Sequence, residues 1–433
     1  MSDYQLAVIG GGPAGYTAAL EAARLGLSTV LVEESLVGGT CLNRGCIPTK
    51  SILHSAEGGK DASEAKELSD GTSAQLRKGI EDLLRRGKVA SVNSRASVPE
   101  PHKIKCADGT EFTADRILIA TGSRPSVPPI KGLAGNPAVV DSDGFLAGFA
   151  SLPEKIAIIG GGVIGVEFAT ACAGFGRQVT VLEALPRILS NLDRELSQSI
   201  SMNLRKSGAA VHTGTMVKEV KSSGSSSQVI FEENGRESSC EADLILAAVG
   251  RKPVLPEFGF DIKTERGALV VSDSCETSVP GIYAAGDCTP GIQLAHRASS
   301  QAVNCVRMMC GLEPKYDLRF IPSCVYSAPE AASVGMDAES AKQAGIEAET
   351  SKCVLGGNAR TLISGSGRGF IKVVTEKATG KIIGAQILCD RASDMIDEFT
   401  LAMTRGMTLK DMSAAVRPHP SYIEALNGLF SSI

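Results

Sequence analysis

Two parts of the chain show the same order of apolar and glycine-rich positions, about 150 residues apart. In each part, a short apolar run leads into a glycine-rich turn, a helical stretch and a second apolar run that ends on a glutamate. The apolar runs, turns and acids of the two copies are Leu6–Ile9, Gly10–Gly15 and Glu33, then Lys155–Ile159, Gly160–Gly165 and Glu183. Strand and helix patterns that alternate in this way predict parallel sheets covered by helices.

Apolar runs and helical spacings predict further elements along the chain. The predicted strands are Ile117–Ala120, Leu244–Val249 before Gly250, Gly281–Gly286 before Asp287, Gly369–Val374 and Lys381–Leu388. The predicted helices carry Leu76, Ile80, Leu83 and Leu84, then Leu294–Met309, then Met395, Ile396, Phe399 and Met403 on one face. The polar run Ser222–Ser227 predicts the loop of a hairpin, and the pattern becomes α+β from about Tyr316.

The two glycine turns have the context of a dinucleotide site. Each follows a strand, opens a helix and precedes an acid that lies 18 residues after the last glycine. The first glycine allows the tight turn, the second lets a pyrophosphate approach the backbone, and the third lets the helix pack on the strand. The helix N-terminus faces the phosphates, and the acid accepts a hydrogen bond from a ribose hydroxyl. An ordinary strand–turn–helix unit is the alternative, but the full context in both copies favours two bound dinucleotides.

Charge and composition exclude several other classes. The net charge is −4 and no run of Lys and Arg occurs, which argues against nucleic acid or an anionic membrane as the main partner. No stretch of about 18 uninterrupted apolar residues is present to span a membrane. The apolar run Leu6–Ile9 follows Met1–Gln5 at once, which leaves no room for a signal peptide. We therefore expect a globular, cytoplasmic protein.

One pair of the twelve cysteines suggests redox chemistry. Cys41 and Cys46 lie five positions apart in a glycine-flanked loop, and Pro48 marks the start of a helix just after them. A helix N-terminus favours the thiolate of Cys46, and a disulfide that closes so small a loop is easily strained and therefore reducible. Two free buried thiols are the alternative. No metal site is predicted, because no second Cys or His pair lies at zinc-ligand spacing nearby.

Electron flow assigns the two dinucleotides. A nicotinamide moves a hydride, a disulfide takes two electrons through thiolate attack, and a flavin exchanges electrons with both. The first site is therefore predicted to bind FAD and the second a nicotinamide. Glu183 at the second ribose position favours NAD because it would repel a 2′-phosphate, and Arg187, four residues on, is a weak counter-signal.

Across essentially its whole length, the chain resembles the FAD-dependent pyridine nucleotide-disulfide oxidoreductases, and within them most closely the dihydrolipoamide dehydrogenases. The motifs that carry the resemblance are Gly38–Lys50 (GGTCLNRGCIPTK), Ala120–Pro125 (ATGSRP), Gly160–Phe168 (GGGVIGVEF), Ala247–Pro253 (AAVGRKP), Tyr283–Cys288 (YAAGDC) and His419–Leu426 (HPSYIEAL). The resemblance implies two Rossmann-like dinucleotide-binding domains, for FAD and NAD, and an α+β C-terminal dimerisation domain. The implied boundaries are 1–148 (first FAD segment), 149–272 (NAD domain), 273–315 (central segment that completes the FAD site) and 316–433 (interface domain).

The resemblance and the glycine turns together imply two sets of cofactor-binding residues. The FAD set is Gly10, Gly12, Ala14, Gly15, Glu33, Gly39, Thr40, Lys50, Thr121, Gly122, Ser123, Asp287, Leu294, Ala295 and His296. The NAD set is Gly160, Gly162, Val163, Ile164, Gly165, Glu167, Glu183, Val217 and Gly250.

Catalytic roles follow from the resemblance. Cys41 would be the thiol that exchanges with the substrate and Cys46 the thiolate in contact with the flavin. Lys50 and Glu167 would pair beside the flavin N5. His419 and Glu424 would act on the site of a partner subunit, with the carboxylate orienting the ring as a base for thiol chemistry; this implies a homodimer. The implied reaction oxidises protein-bound dihydrolipoamide to lipoamide with NAD⁺ through FAD and a Cys41–Cys46 disulfide.

Other functions remain open at this point. The chain ends in Gly428–Ile433 without a cysteine pair, which disfavours mercuric reductases and the large thioredoxin reductases, and glutathione reductases usually use NADPH. An NADH-dependent reductase of another low-molecular-weight disulfide is the alternative enzyme, and a flavoprotein redox regulator is the alternative of another class. The segment Glu57–Thr72 looks like a shortened form of a helical region near the substrate approach, so the substrate is less secure than the reaction type.

Overall fold

The structure of the protein is a computed structural model that describes residues 2–223 and 226–430. These residues form two compact units. The first unit comprises the chain up to Pro128, Val140–Leu152 and Val249–Leu318, and the second comprises Pro129–Val139, Pro153–Ala248 and the chain from Arg319 onwards.

The helices and strands alternate over much of the chain. In chain order, the helices are α1 (Pro13–Arg24), α2 (Gly39–Arg44), α3 (Cys46–Glu57), α4 (Ala62–Arg86), α5 (Ser142–Ala147), α6 (Val163–Gly174), α7 (Arg194–Lys206), α8 (Ala295–Met309), α9 (Ala338–Gln343), α10 (Ala359–Ser364), α11 (Ala392–Thr404), α12 (Leu409–Ser413) and α13 (Asn427–Phe430). The strands are β1 (Tyr4–Ile9), β2 (Thr29–Glu33), β3 (Ala90–Asn93), β4 (Ala96–Glu100), β5 (Lys103–Cys106), β6 (Glu111–Ile119), β7 (Ser123–Pro125), β8 (Val139–Val140), β9 (Lys155–Ile159), β10 (Gln178–Glu183), β11 (Ala210–Thr213), β12 (Thr215–Ser223), β13 (Ser226–Glu233), β14 (Arg236–Ala242), β15 (Leu244–Ala247), β16 (Arg251–Pro253), β17 (Thr264–Glu265), β18 (Ala268–Leu269), β19 (Ile282–Ala284), β20 (Ser323–Val325), β21 (Ala331–Gly335), β22 (Ala348–Val354), β23 (Phe370–Glu376) and β24 (Ile382–Leu388).

The first unit is built on a parallel sheet in the order β3-β2-β1-β6-β19. The apolar run of β1 is buried on both faces, because Leu6 and Val8 pack with α1 and α8 while Ala7 and Ile9 face the opposite cluster. Small residues such as Ala18 and Ala302 line the contact between these two helices. Because both faces of this sheet are covered, its strands are continuous apolar runs in the sequence rather than alternating apolar and polar residues.

The second unit contains the other glycine turn, on a parallel sheet in the order β11-β10-β9-β15. It also contains an antiparallel sheet, β12-β13-β14. The predicted hairpin is confirmed: Ser222 and Ser223 pair with Ser227 and Ser226 in β12 and β13, while residues 224 and 225 of the predicted loop lie outside the described residues. The antiparallel sheet of the C-terminal region has the order β20-β21-β24-β23-β22, and the predicted apolar face of α11 is buried against it.

The predicted fold class is confirmed, since two parallel nucleotide-type sheets and an α+β C-terminal region are present. The predicted four-part division of the chain stays a prediction, and its boundaries do not coincide with those of the two compact units. Residues 129–139 belong to the second unit, although the division assigned them to the first FAD segment. Residues 249–272 belong to the first unit, where β16 pairs with β7, although the division assigned them to the NAD domain.

Helix α4 shows where helical spacing alone misleads. Leu84 is buried and Ile80 packs against the same cluster, but Leu76 and Leu83 are exposed. The helix begins at Ala62, with Asp61 as its N-cap, so most of the polar segment Glu57–Thr72 is helical. The segment between Cys41 and Cys46 was expected to be a loop, but Cys41 to Arg44 form part of the short helix α2.

One buried charge network joins the C-terminal sheet of the second unit to the start of α7. Lys372 on β23 donates to both oxygens of Asp193, at 2.9 and 3.0 Å, and its ammonium lies 3.1 Å from Glu195. The side chains of Lys372 and Asp193 are each only 10% exposed. Asp193 also caps α7 by accepting from the N–H groups of Glu195 and Leu196.

The substitution Lys372→Met is expected to lower the free energy of unfolding by about 3 kcal/mol, because it leaves the Asp193 carboxylate buried without its cation. Urea titration at one fixed protein concentration measures the loss. Lys377→Met removes an exposed ammonium just beyond the same strand and serves as the matched control, with an expected change within about 0.5 kcal/mol. Equal losses for the two variants would contradict the assignment of a stabilising role to the network.

None of the helices within residues 2–223 and 226–430 combines the length and the apolar composition that a membrane crossing requires.

Candidate active site

The glycine turns have the geometry that a pyrophosphate requires. Gly10 has φ +105°, which permits the sharp turn after β1. A Cβ on Gly15 would lie 1.7 Å from the carbonyl oxygen of Gly10, so only glycine lets α1 pack so closely. A Cβ on Gly12 would meet only the Cα of Gly39, at 3.9 Å, and the first turn of α1 has no side-chain cap. The middle glycine therefore leaves room for a phosphate beside free backbone N–H groups.

The second turn repeats this geometry. Gly160 has φ +110°, and a Cβ on Gly165 would lie 1.9 Å from the Gly160 carbonyl oxygen. A Cβ on Gly162 would meet nothing within 4 Å. Val163 and Ile164 form the first turn of α6, which likewise has no side-chain cap.

The two acids occupy equivalent positions in the two sheets. Glu33 ends β2 and accepts from the N–H groups of Gly11, at 2.5 Å, and Ser35, at 2.9 Å. Glu183 ends β10 and accepts in the same way from Gly161, at 2.5 Å, and Leu185, at 2.8 Å. Each carboxylate thus closes its own glycine turn. Because a carboxylate accepts about four hydrogen bonds, both keep capacity for a ribose hydroxyl.

One cavity lies beside Glu33, and another adjoins the loop that follows Glu183. The one beside Glu33 has a volume of about 610 Å³ and is lined by Leu31, Ser35, Val92 and Asn93, among others. The open glycine turn and this cavity fit the adenosine half of FAD. The one in the second unit, about 700 Å³, adjoins the loop after Glu183 and is lined by three arginines, Arg187, Arg194 and Arg205, with Gln198 and Ser201.

The thiol pair sits where two helices meet. Cys46 is the first residue of α3, as predicted, and Cys41 lies in α2. The two cysteines are not joined by a disulfide in this structure, and their side chains are hydrogen-bonded to each other. The bond to Cys46, and next burial, raise the pKa of Cys41, while Lys50 opposes the shift. The position of Cys46 at a helix N-terminus favours Cys46 as the thiolate of the pair.

Neighbouring side chains that the sequence reasoning missed hold the thiol-bearing helices. Asn43 donates to the carbonyl oxygens of Leu36, Val37 and Gly39 and accepts from Arg77 of α4 at 2.7 Å. Arg44 lies 3.4 Å from the carboxylate of Asp143. The local sequence between the cysteines gives no signal for these partners, because Arg77 and Asp143 are distant in the chain.

Tyr16 is another missed neighbour. Burial, and next the proximity of Cys41, raise the pKa of its hydroxyl. Tyr16 follows Ala14 and Gly15 on α1, so the first dinucleotide turn and the thiol pair are adjacent. Gly39 makes the same link, because a Cβ there would lie 2.6 Å from the Cα of Gly12.

A polar cluster gathers several predicted FAD residues. Ser123 donates to Asp287 at 2.6 Å, and Arg251 donates to the hydroxyl and carbonyl oxygens of Ser123, at 2.9 and 2.8 Å. Arg251 also reaches Thr40, at 3.5 Å. Arg251 was not among the predicted site residues, although it lies within a motif that carried the resemblance.

The remaining predicted FAD residues lie in the same unit. Thr121 donates to the carbonyl oxygen of Val254 at 2.5 Å, and Gly122 has φ +70°. Leu294 caps the start of α8, which Ala295 and the exposed His296 begin. These positions belong to one compact unit, but their contacts with FAD stay a prediction.

Glu167 is buried on α6 of the second unit at 4% exposure, and it accepts a hydrogen bond from the N–H of Tyr326 at 3.1 Å. Burial raises the pKa of Tyr326 to about 12, with Cys324 and Glu330 adding to the shift. Lys50 belongs to the other unit, so the predicted Lys50–Glu167 pair stays a prediction.

Two predicted NAD residues have other surroundings. Val217 is buried in the apolar cluster with Leu182 and Phe231, so any contact with a nicotinamide would have to come from its backbone. Gly250, with φ +99°, accepts a hydrogen bond from Ser126 in the first unit. Their roles in nucleotide binding stay predictions.

His419 and Glu424 form the predicted pair. The Nδ1 atom of His419 lies 2.8 Å from a carboxylate oxygen of Glu424, and the His419 side chain is 75% exposed. This hydrogen bond is the main cause that lowers the pKa of Glu424. A carboxylate therefore orients the ring, which is otherwise largely exposed.

The segment that carries His419 is anchored on both sides. Asn358 donates to the Ser421 carbonyl oxygen at 2.9 Å, and the buried Tyr422 donates to Asp390 at 3.2 Å. Before the histidine, the Arg417 side chain is only 3% exposed, and its guanidinium pairs with Glu398 and lies 4.9 Å from the ring centre of Phe430. The pair was predicted from sequence, but these anchors were not.

Two other histidines bond to partners within their own units. His212 bonds Glu233 at 3.1 Å inside the second unit, and His102 bonds the backbone carbonyls of Ala114 and Asp115. Within residues 2–223 and 226–430, no cluster of His, Cys, Asp and Glu side chains is placed to hold a metal ion.

Family comparisons cover most of the chain. Residues 4–302 match the family described as pyridine nucleotide-disulphide oxidoreductase, and residues 321–429 match the dimerisation domain of the same family. These matches agree with the resemblance and with the two kinds of fold found above.

Among curated proteins, the chain is 37% identical to a dihydrolipoyl dehydrogenase of Geobacillus stearothermophilus, over 96% of this chain and 93% of the relative. It is 35% identical to a dihydrolipoyl dehydrogenase of Bacillus subtilis with the same coverage. Among solved structures, it is similar to the HOCl-induced flavoprotein disulfide reductase RclA from Escherichia coli, with a TM-score of 0.92 and 31% identity over 99% of this chain and 100% of that one. The family and these relatives confirm the predicted cofactors, FAD and NAD.

Proposed function

We propose, because this chain belongs to the pyridine nucleotide-disulphide oxidoreductase family and is a flavin disulfide oxidoreductase, that it oxidises protein-bound dihydrolipoamide to lipoamide with NAD⁺. The observation that carries the proposal is the position of the Cys41–Cys46 pair. It lies against the first dinucleotide turn, with Gly39 packed on Gly12, and Cys46 starts a helix.

The thiol chemistry follows from these residues. With the Cys41–Cys46 disulfide formed, His419 of one subunit takes a proton from a substrate thiol, and the resulting thiolate attacks the sulfur of Cys41. The Cys41–Cys46 bond breaks, and its electron pair stays on Cys46, which the helix N-terminus favours as a thiolate. The second substrate thiol then displaces Cys41 and closes the product disulfide. FAD, when bound, supplies the two-electron acceptor between the thiol pair and the nicotinamide.

The proposed active form is a homodimer. The dimerisation domain exposes large apolar side chains, a feature typical of interaction surfaces. The exposed set is Val354, Leu362, Ile363, Leu401 and Val416. His419 is exposed in the same domain, which supports its predicted action on the thiol pair of a second copy.

A steady-state comparison of substrates tests the proposal. Turnover with dihydrolipoamide and NAD⁺ is expected to exceed NADH- or NADPH-dependent reduction of glutathione disulfide and coenzyme A disulfide by about 10²-fold or more in kcat/KM, the discrimination that a built site achieves. The NADPH arm is included because three arginines line the cavity that adjoins the loop after Glu183. Higher kcat/KM with another disulfide would reject the lipoyl substrate.

The second candidate function is the reduction of a different low-molecular-weight disulfide by NADH. It is favoured by the similarity to a flavoprotein disulfide reductase over the full length of that chain. The same comparison of substrates distinguishes the two. A redox regulator, the alternative of another class, would show slow turnover with every substrate and no dependence on His419.

Arg417 is expected to act as a positioning residue for His419. Arg417→Lys keeps the charge. It loses the contact of the planar guanidinium with the Phe430 ring and the hydrogen bonds that the guanidinium donates to backbone carbonyl oxygens. Turnover of the dithiol is expected to fall by about tenfold or more, because a small displacement of a catalytic group is costly. NADH-dependent reduction of ferricyanide, which needs no thiol base, is expected to stay unchanged.

The matched control for this variant is Arg405→Lys, at the exposed end of α11 in the same domain. Equal effects on dithiol turnover and on ferricyanide reduction in Arg417→Lys would assign to Arg417 a general structural role instead.

A further inference from the structure

A second pair of thiols lies in the first unit, away from Cys41 and Cys46. Cys275 precedes β19 and Cys305 lies on α8, and both belong to one apolar cluster, at 3% and 0% exposure. The two side chains are hydrogen-bonded to each other, and both are free thiols in this structure. Nothing in the thiol chemistry above uses them.

The face of α8 towards Cys275 is polar in an otherwise apolar contact. Gln301 and Cys305 lie one helical turn apart, so both reach Cys275, and Arg297 lies one turn before Gln301. The hydrogen bond from Cys305, and next that from Gln301, lower the pKa of Cys275 despite its burial. Burial, and next the bond to Cys275, raise the pKa of Cys305. These directions favour Cys275 as the attacking thiol, and its contact with Cys305 places the second thiol beside it.

The backbone holds Cys275 in an unusual conformation. Its φ is +66°, which is rare for a residue with a side chain. Its N–H donates to Ser272 and its carbonyl accepts from Ala284, both at 2.9 Å. Because strain of this kind persists only where the surroundings impose it, the neighbouring backbone hydrogen bonds hold Cys275 in this turn.

The same elements reach the predicted FAD site. Gln301 accepts a hydrogen bond from the N–H of Gly286 at 2.9 Å, next to Asp287. The side chain of Gln301 is thus the link between the thiol pair and the turn at Gly286.

We propose that Cys275 and Cys305 are a second redox-active dithiol, which a peroxide oxidises to a disulfide. The sulfur of Cys275 attacks one peroxide oxygen, the O–O bond breaks, and the departing hydroxide takes the proton that Cys275 released. Cys275 is then a sulfenic acid, and the sulfur of Cys305 displaces its hydroxyl, which leaves as water with the Cys305 proton. The two thiols lose two electrons and two protons, and one peroxide becomes two waters. Hydrogen peroxide is small enough to reach the pair through local opening of the unit.

Peptide mapping of the full-length, FAD-loaded protein tests this inference. The protein is treated with hydrogen peroxide, its remaining thiols are alkylated in denaturant, and it is digested with trypsin and with a protease that cleaves after Glu. Cleavage after Glu276 separates Cys275 from Cys288, while Cys305 lies in the tryptic peptide 298–307. A disulfide between the peptides of Cys275 and Cys305 is expected, in about tenfold more molecules than carry oxidised Cys172, a buried single thiol on α6.

The variant Cys305→Ser supplies the second measurement. It is expected to stop at the sulfenic acid of Cys275, which dimedone traps. The peptide map of the wild-type protein tests the inference even if this variant does not fold. Absence of the Cys275–Cys305 link under conditions that fully oxidise Cys41 and Cys46 would overturn the inference, as would an equal yield of links to Cys288.

Discussion

Replacing Cys46 with Ser is expected to lower dihydrolipoamide-dependent reduction of NAD⁺ by about 10³-fold or more, since loss of a catalytic nucleophile removes the covalent route. FAD should stay bound, because the glycine turn, Glu33 and the Ser123–Asp287 cluster are untouched. The measurement is steady-state turnover beside the flavin absorbance of the purified protein.

Two comparisons sharpen this test. NADH-dependent reduction of ferricyanide needs the flavin but no thiol pair, so the variant should retain it. Cys310→Ser, at the partly exposed C-terminal cap of α8, should keep the full dithiol turnover. Substantial dithiol turnover in Cys46→Ser would refute the proposed mechanism.

Replacing His419 with Gln is expected to lower dithiol oxidation by about 10²- to 10⁴-fold, the usual contribution of a general base. Part of the rate should return as the pH rises towards about 8.5, because the substrate thiol then ionises without help. The pH profile of kcat/KM therefore separates loss of a base from a loss of folding.

His212→Gln is the matched control, because His212 also bonds a carboxylate, that of Glu233, but at 3.1 Å and outside the proposed site. It should leave turnover unchanged. Mixed dimers give a stronger test of the shared site. When Cys46→Ser and His419→Gln subunits are combined at random, about half of the dimers are mixed and each holds one intact site, so about a quarter of the wild-type activity should return. No recovery would mean that His419 does not act across the dimer.

The cofactor sites were predictable because their chemistry is local in sequence. The spacing from Gly10 to Glu33 and from Gly160 to Glu183 follows from one strand, one turn and one helix, and the structure repeats it with the same backbone contacts. The His419–Glu424 pair is local for the same reason, because the two residues lie five positions apart.

Contacts between side chains of distant segments could not be predicted from the sequence in this way. Arg251 lies 128 residues from Ser123, and Lys372 lies 179 residues from Asp193. No periodicity or spacing in the sequence predicts either contact. Each contact depends on which strand ends and which helix N-termini are brought together by the tertiary fold. The buried face of α4 is a similar case, since Leu76 and Leu84 are equally apolar and only packing decides that Leu84 is inside.

By itself, the sequence determined the two dinucleotide turns, the redox cysteine pair, the amphipathic face of α11 and the His419–Glu424 pair. Each of these depends on backbone sterics and on side chains a few residues apart, which a linear pattern records. The tertiary structure decided the bracing of the thiol pair by Arg77, the anchoring of His419 through Arg417 and the meeting of Cys275 with Cys305. These contacts arise from the packing of segments that are remote in the chain, and their free energy depends on burial that no local pattern reveals.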